Sequence, residues 1–398
     1  MPHIQFKKND LIKTPIQENG VFFDFCAKSY NFTDKQKQTE YKIAVKYKER
    51  DFLLTLREKE NTYMVKVDNI TRVSPIDIIK EAINAYAKVT NAEIEFSNTS
   101  NFKNTEEPIK EYIKDIEYFV NDFNPTSEVQ VEVGFGSGRH ILHQALENPD
   151  VQFIGLEIHT PSIEQLLKQI SIQGIKNILV INYDARLFME FLKSNSVEKI
   201  FVHFPVPWDK KPHRRIYSDD FINEALRVLK VDGSLELRTD SRKYFDYCTH
   251  LLTNLNSGRI VIDINKDLGV SSKYEDRWKK QGKNIYDVVL LCAQEDEEKQ
   301  ITENFDFENE IYFEQVRKSI QTKPIVREDY FLHIEDIFID KNGIVLLRLT
   351  FGSFNRPLSK YIIIRDNKIS YYQGNPIPTS ANLKAHLELK KILSNDNS

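Results

Sequence analysis

"VEVGFGSGRH", residues 131–140, closes an alternating apolar run and places Gly134, Gly136 and Gly138 within five positions. The amphipathic stretch "HILHQAL" follows directly, so the glycines mark a strand-to-helix turn. Glycine at such a turn accepts positive φ and lets the backbone approach a ligand closely. The arrangement is not a dinucleotide fingerprint. Counted from Gly134, G-x-G-x-x-G/A ends on Arg139; counted from Gly136, it ends on Ile141. What stands here is acidic-x-Gly-x-Gly-x-Gly, with Glu132 two residues before the turn. A carboxylate there repels a pyrophosphate but suits a ligand carrying a cationic amino group and a sulfonium. S-adenosylmethionine is such a ligand.

Around this turn, apolar runs alternate with helical patterns. The strand candidates are "VQVEV", "QFIGLE", "NILVIN", "KIFVHF", "SLELRT", "RIVIDI" and "YDVVLLCA", and segments such as "SIEQLLKQI" and "FINEALRVL" separate the first five. This rhythm predicts an α/β domain over residues 106–297, a parallel sheet with helices on both faces. Ligands of such sheets bind at the carboxyl ends of the strands, where the strand order reverses. Glu157 ends the second strand, about 20 residues past the glycines, where an acid accepts hydrogen bonds from ribose hydroxyls. Asp184, after the third strand, is placed to face the adenine amino group. Each acid taken alone is equally readable as a helix N-cap. Three acids at consecutive strand ends behind one glycine turn point to the cofactor.

The chain has 398 residues, net charge −4 and 40% hydrophobic content, which excludes a globally basic surface and allows more than one core. Cys26, Cys248 and Cys292 lie far apart, which fits a reducing compartment and predicts no metal site. His140 and His143 are read as surface or packing residues. No stretch approaches a membrane span in apolar length, and the N-terminus lacks the apolar core of a secretory signal. A cytoplasmic protein without an obligatory protein partner is expected. Residues 1–100 and 306–398 read as α+β extensions, each a set of strands followed by a helix. In the first, Ser74 is the expected N-cap, Pro75 the first helical residue, and Ile76, Ile79, Ile83 and Tyr86 one face. The two flanks are readable as related copies or as two halves of one sheet domain.

After the fourth strand comes "FVHFPVPWDKKPHRRIYSDDF", residues 201–221. Pro205 and Pro207 stiffen it, and Trp208 precedes Lys210, Lys211, His213, Arg214 and Arg215. Such a run is commonly a solvated face. At the active edge of an α/β sheet, beside an aromatic ring, it suits phosphate binding and base stacking.

Taken together, "EVGFGSG", "GLEIH", "NYDA", "FPVPWDKKPHRR", "LRTD" and "SSKYEDRWKKQGKNIYD" resemble the bacterial tRNA (guanine-N7-)-methyltransferase family over residues 130–293. The resemblance implies a Rossmann-like class I methyltransferase core, S-adenosylmethionine as methyl donor and a guanosine in the variable loop of tRNA as acceptor. It puts the cofactor carboxylates on Glu132, Glu157 and Asp184. It puts substrate contacts on Lys210, Asp240, Ser272 and Glu275. Lys211, Arg214 and Arg215 are expected on tRNA phosphates. Departures are equally specific. The family's "PDPW" has an aspartate where this chain has Val206, Ser272 replaces a threonine, and Trp278 stands where glycine is frequent.

Guanine N7 carries a lone pair and no proton, so its methylation needs alignment more than a general base. Asp240 is then the candidate catalytic carboxylate, since the guanine becomes cationic; its competing reading is a helix cap. Two other functions share these features: a tRNA-binding protein with a cofactor fold and little catalysis, and a methyltransferase for a small molecule or protein.

Overall fold

The computed structural model describes residues 1–30, 39–100, 111–267, 282–299, 304–307, 310–317, 320 and 323–394. The chain forms two compact units, one of Asn104–Ile301 and one joining Met1–Lys103 to Thr302–Ser398. The flanks, readable from sequence as related copies or as two halves of one sheet domain, share one unit and one sheet. Strand Phe331–Ile339 pairs antiparallel with Val21–Tyr30, setting Ile337 opposite Tyr30 and Ile339 opposite Lys28. Local periodicity cannot reveal a pairing that spans the whole central unit.

In the central unit the sheet runs Arg259–Ile264, Tyr286–Leu291, Leu229–Thr239, Val197–His203, Val129–Val133, Gln152–Leu156, Ile178–Ile181 and Ile113–Lys114. Tyr286–Leu291 is antiparallel to both neighbours, and the other neighbouring pairs are parallel. All five residues of Val129–Val133 are buried, as expected of a strand covered on both faces. Strand order reverses at this strand. The chain moves from it through Gln152–Leu156 to Ile178–Ile181, then returns to Val197–His203 on its other side. Every loop leaving these carboxyl ends therefore opens on one edge. Gly155 lets helix Arg139–Glu147 sit close, since a Cβ there would lie 2.9 Å from Phe135 Cδ1 and 3.0 Å from Ile141 Cδ1.

In the flanking unit, among the described residues, a long sheet is joined by two longer helices, Ile76–Val89 and Ser380–Leu393. The first is capped by Pro75, whose extended backbone (ψ 164°) keeps it outside the helix, so Ser74 is not the cap. Ile76 is exposed, and Ile79, Ile83 and Tyr86 pack inward with Ile78 and Ala82. Near the join lies a buried ionic cluster. Lys42 Nζ donates to Asp68 Oδ2 at 2.8 Å, to Thr55 Oγ1 at 2.8 Å and to Glu40. Tyr361, from the other flank, donates its hydroxyl to the same Asp68 oxygen at 3.0 Å. Burial opposes ionisation of Asp68, but the Lys42 ammonium outweighs it and holds the carboxyl below its usual range. Its stabilising contribution is complete at neutral pH and is lost as acid protonates it.

Lys42→Ala should leave the buried Asp68 carboxylate without its counter-ion, while Glu40 keeps Arg57, and destabilise this unit by about 3–5 kcal/mol. Hydrogen exchange should accelerate in Glu40–Tyr47 and Arg50–Glu58 and remain unchanged in Val129–Val133. Equal protection in variant and wild type would show the cluster to be dispensable.

Candidate active site

The turn after Val129–Val133 holds all three glycines at positive φ: +69° at Gly134, +53° at Gly136 and +73° at Gly138. They are glycine for different reasons. A Cβ on Gly138 would strike Leu166 Cδ1 at 2.6 Å, so that residue serves helix packing. A Cβ on Gly134 would meet nothing within 4 Å, and one on Gly136 only Gly134 O at 4.0 Å. There the backbone faces open space, as a surface that receives a ligand must. Glu157 locks the turn to the next strand. Its Oε2 accepts from Gly136 N at 3.1 Å, and its Oε1 from Ile158 N at 2.8 Å and His159 N at 3.0 Å. Beside it Ile158 is 71% exposed, an apolar surface next to a carboxylate. A nucleoside with a flat base and two ribose hydroxyls fits that pairing.

Glu132 is buried just ahead of the turn, and its Oε2 lies 2.8 Å from His140 Nδ1. Of the two readings, surface or packing, His140 realises the second. The glycine turn folds the first helical turn back over the strand end, which spacing alone does not reveal. Burial lowers the proton affinity of His140, but the Glu132 carboxylate raises it further, so the net direction is upward. His203 stacks edge-on against it at 4.4 Å and is held neutral, far below its usual value, by burial. Asp184 caps helix Ala185–Phe188, accepting from Arg186 N at 3.1 Å, while the Arg186 guanidinium engages both its oxygens. The cap reading of Asp184 is thus realised at the strand end where the cofactor reading also places it.

The next strand end carries the proline-rich segment. Phe204 and Trp208 adopt φ of +50° and +44°, uncommon for bulky side chains and a sign of a segment held by its surroundings. Arg215 is part of that hold. It donates from Nε to Pro207 O at 2.9 Å, and its guanidinium lies 4.3 Å from the Tyr247 ring centroid. Its side chain is turned inward, unlike the exposed Lys210, Lys211 and Arg214. The Arg214 guanidinium covers one side of Trp208 at 5.2 Å. Val206 is 60% exposed.

One strand further, Asp240 follows Thr239, but the cap of helix Arg242–Thr253 is Ser241, which accepts from Tyr244 N. Asp240 instead takes an ion pair from Lys283 Nζ at 2.9 Å. Sequence reasoning passed over Lys283, since no spacing rule relates the two positions. Ser272, Glu275 and Trp278 lie outside the described residues.

A reversing sheet with one antiparallel strand, an open glycine turn and acids at its strand ends defines a class I S-adenosylmethionine-dependent methyltransferase. The family described as "Putative methyltransferase" matches residues 126–288. The tRNA (guanine-N(7)-)-methyltransferase of Wolinella succinogenes is 40% identical, covering 99% of this chain and 100% of its own. Those of Campylobacter fetus and Helicobacter hepaticus are each 37% identical, covering 99% of both chains and 100% of both chains respectively. The chain belongs to the tRNA (guanine-N(7)-)-methyltransferase family. The flanks, outside the motifs that carry the sequence resemblance, are included in these full-length matches.

Glu157→Ala should weaken S-adenosylmethionine binding by about 10- to 100-fold, the equivalent of roughly 1.5–3 kcal/mol for charged hydrogen bonds. Titration calorimetry on the folded variant checks this. Unchanged affinity would remove Glu157 from the site.

Proposed function

We propose that the chain transfers a methyl group from S-adenosylmethionine to N7 of a guanosine in the variable loop of tRNA. The observation that carries this reading is the adjacency of Val129–Val133 and Val197–His203, which opens the glycine turn and the basic segment on one edge. S-adenosylmethionine supplies an electrophilic methyl group on its sulfonium. Gly134 and Gly136 offer backbone without side chains, Glu157 accepts from ribose hydroxyls, and Glu132 faces the cationic part of the donor. Asp184, fixed by Arg186, borders the adenine.

On the substrate side, Lys210, Lys211 and Arg214 neutralise tRNA phosphates. Arg215 acts from within, keeping the strained segment in place. Asp240 accepts from the N1–H and amino group of guanine and offsets the positive charge that develops on the ring. The family resemblance assigns Ser272 and Glu275 to substrate contact as well. Because N7 has no proton to lose, alignment suffices and Val206 removes nothing the reaction requires. A tRNA substrate supports a cytoplasmic location.

Changing Lys210, Lys211 and Arg214 together to Ala should weaken tRNA binding and lower its salt slope by about one for each lost phosphate contact. Cofactor affinity should not change. An unaltered slope would reduce the segment to a solvated face. In single-turnover kinetics at saturating cofactor and tRNA, Asp240→Asn should slow methylation by about ten- to a hundredfold, from a lost charged hydrogen bond of roughly 1.5–3 kcal/mol. Val206→Asp should cost less. An inactive wild type rescued by Val206→Asp would overturn the reading.

A further inference from the structure

Glu132 is the most buried acid at the cofactor edge, and its surroundings are unusual for a residue meant to attract a cation. Its Oε2 is held by His140 Nδ1 at 2.8 Å. A carboxylate only accepts, so Nδ1 carries a hydrogen whether or not Nε2 is also protonated. The bond therefore survives in both states of the ring, while the charge of the pair does not. With His140 neutral the pair carries one negative charge; with His140 protonated it carries none.

We propose that His140 is a positioning residue whose neutral form presents Glu132 as counter-ion to the cationic donor, so that cofactor binding expels a proton from His140. The inference rests on the cofactor role of Glu132 given above. The step balances simply: donor cation plus protonated pair gives the bound donor and one proton released to solvent.

The other groups facing the ring leave Glu132 and His140 as the pair that responds. Val197–His203 contributes Phe201 at 4.8 Å and His203 at 4.4 Å, and His203 is held neutral by burial. Leu229–Thr239 contributes Glu236, which favours protonation of His140, and Arg238, which opposes it. Arg238 is itself paired with Asp287 from Tyr286–Leu291 at 2.5 Å. On its own helix, Arg139 is exposed and His143 lies on the following turn. In the free protein the Glu132 carboxylate supports the proton on His140, in line with its upward shift. A donor cation beside the same carboxylate competes with that proton.

Binding coupled to proton release strengthens as pH rises, by at most about tenfold per pH unit, and levels off once free His140 is neutral. Titration calorimetry with S-adenosylmethionine, from pH 5.5 to 8.5 in two buffers of different ionisation heat, reads affinity and released protons together. Wild type should show the rise and the plateau, with up to one proton released. His140→Asn places an amide nitrogen near the position of Nδ1 and cannot titrate; it should retain the plateau affinity with a flat profile. His140→Ala should be flat and weaker. A flat wild-type profile without proton release, or a wild-type slope surviving in His140→Asn, would overturn the proposal. Glu132→Gln separates the two readings. Full affinity in that variant at pH 8.5 would refute Glu132 as counter-ion, whereas weakened binding there beside a flat wild-type profile would refute His140 alone.

Discussion

Everything on the active edge is referred to the hydrogen bond between Gly136 N–H and the Glu157 carboxylate. Gly136 reaches that oxygen because three successive glycines hold positive φ, a backbone shape that side-chain-bearing residues rarely adopt. Glu157 in turn is anchored by two amides of its own strand end. The turn is thereby fixed between two neighbouring strands, open on the side where no atom stands within 4 Å of a Cβ at Gly134. Helix Arg139–Glu147 takes its direction from the last of these glycines. That direction carries His140 over Glu132, and so sets the charge the donor meets.

Charge is managed in two ways in this chain. In the flanking unit, Lys42 is enclosed with Asp68, Glu40 and Thr55, and all its donors stay within the fold. Burying such a group is tolerable only because its partners are complete. On the substrate side of the active edge the ionic contacts are more exposed. Asp240 is held by a half-exposed Lys283, which solvent or a base can replace, and Lys210, Lys211 and Arg214 face outward. Arg215 belongs to the first kind although it stands in the run of the second. It joins Pro207 to Tyr247 and keeps Trp208 in its unusual conformation.

The central unit was legible because each strand is a short apolar run bounded by turn residues, and parallel strands covered on both faces read that way. The glycine turn and the strand-end acids followed from the same alternation. The union of the flanks was one of two open readings, and the sequence could not choose it, since three paired positions between Val21–Tyr30 and Phe331–Ile339 leave no local signature. Pro75 was not legible as a cap: proline ahead of a helix reads equally well as its first residue. His140 reads as a surface or packing residue, and packing is what is found, but its hydrogen-bond partner Glu132 sits across the turn, where spacing gives no signal. The place of His140 just past the last glycine, on the ligand end of the helix, was the available signal. Arg215 looked like its neighbours because composition does not say which member of a basic run turns inward.

The most direct measurement is the product itself. Unmodified tRNA incubated with the protein and methyl-labelled S-adenosylmethionine, then digested to nucleosides, should yield label in N7-methylguanosine from the variable loop. Label in another nucleoside would contradict the assigned acceptor. tRNA that binds but takes up no label would contradict catalysis by a site that has Val206 in place of an acid.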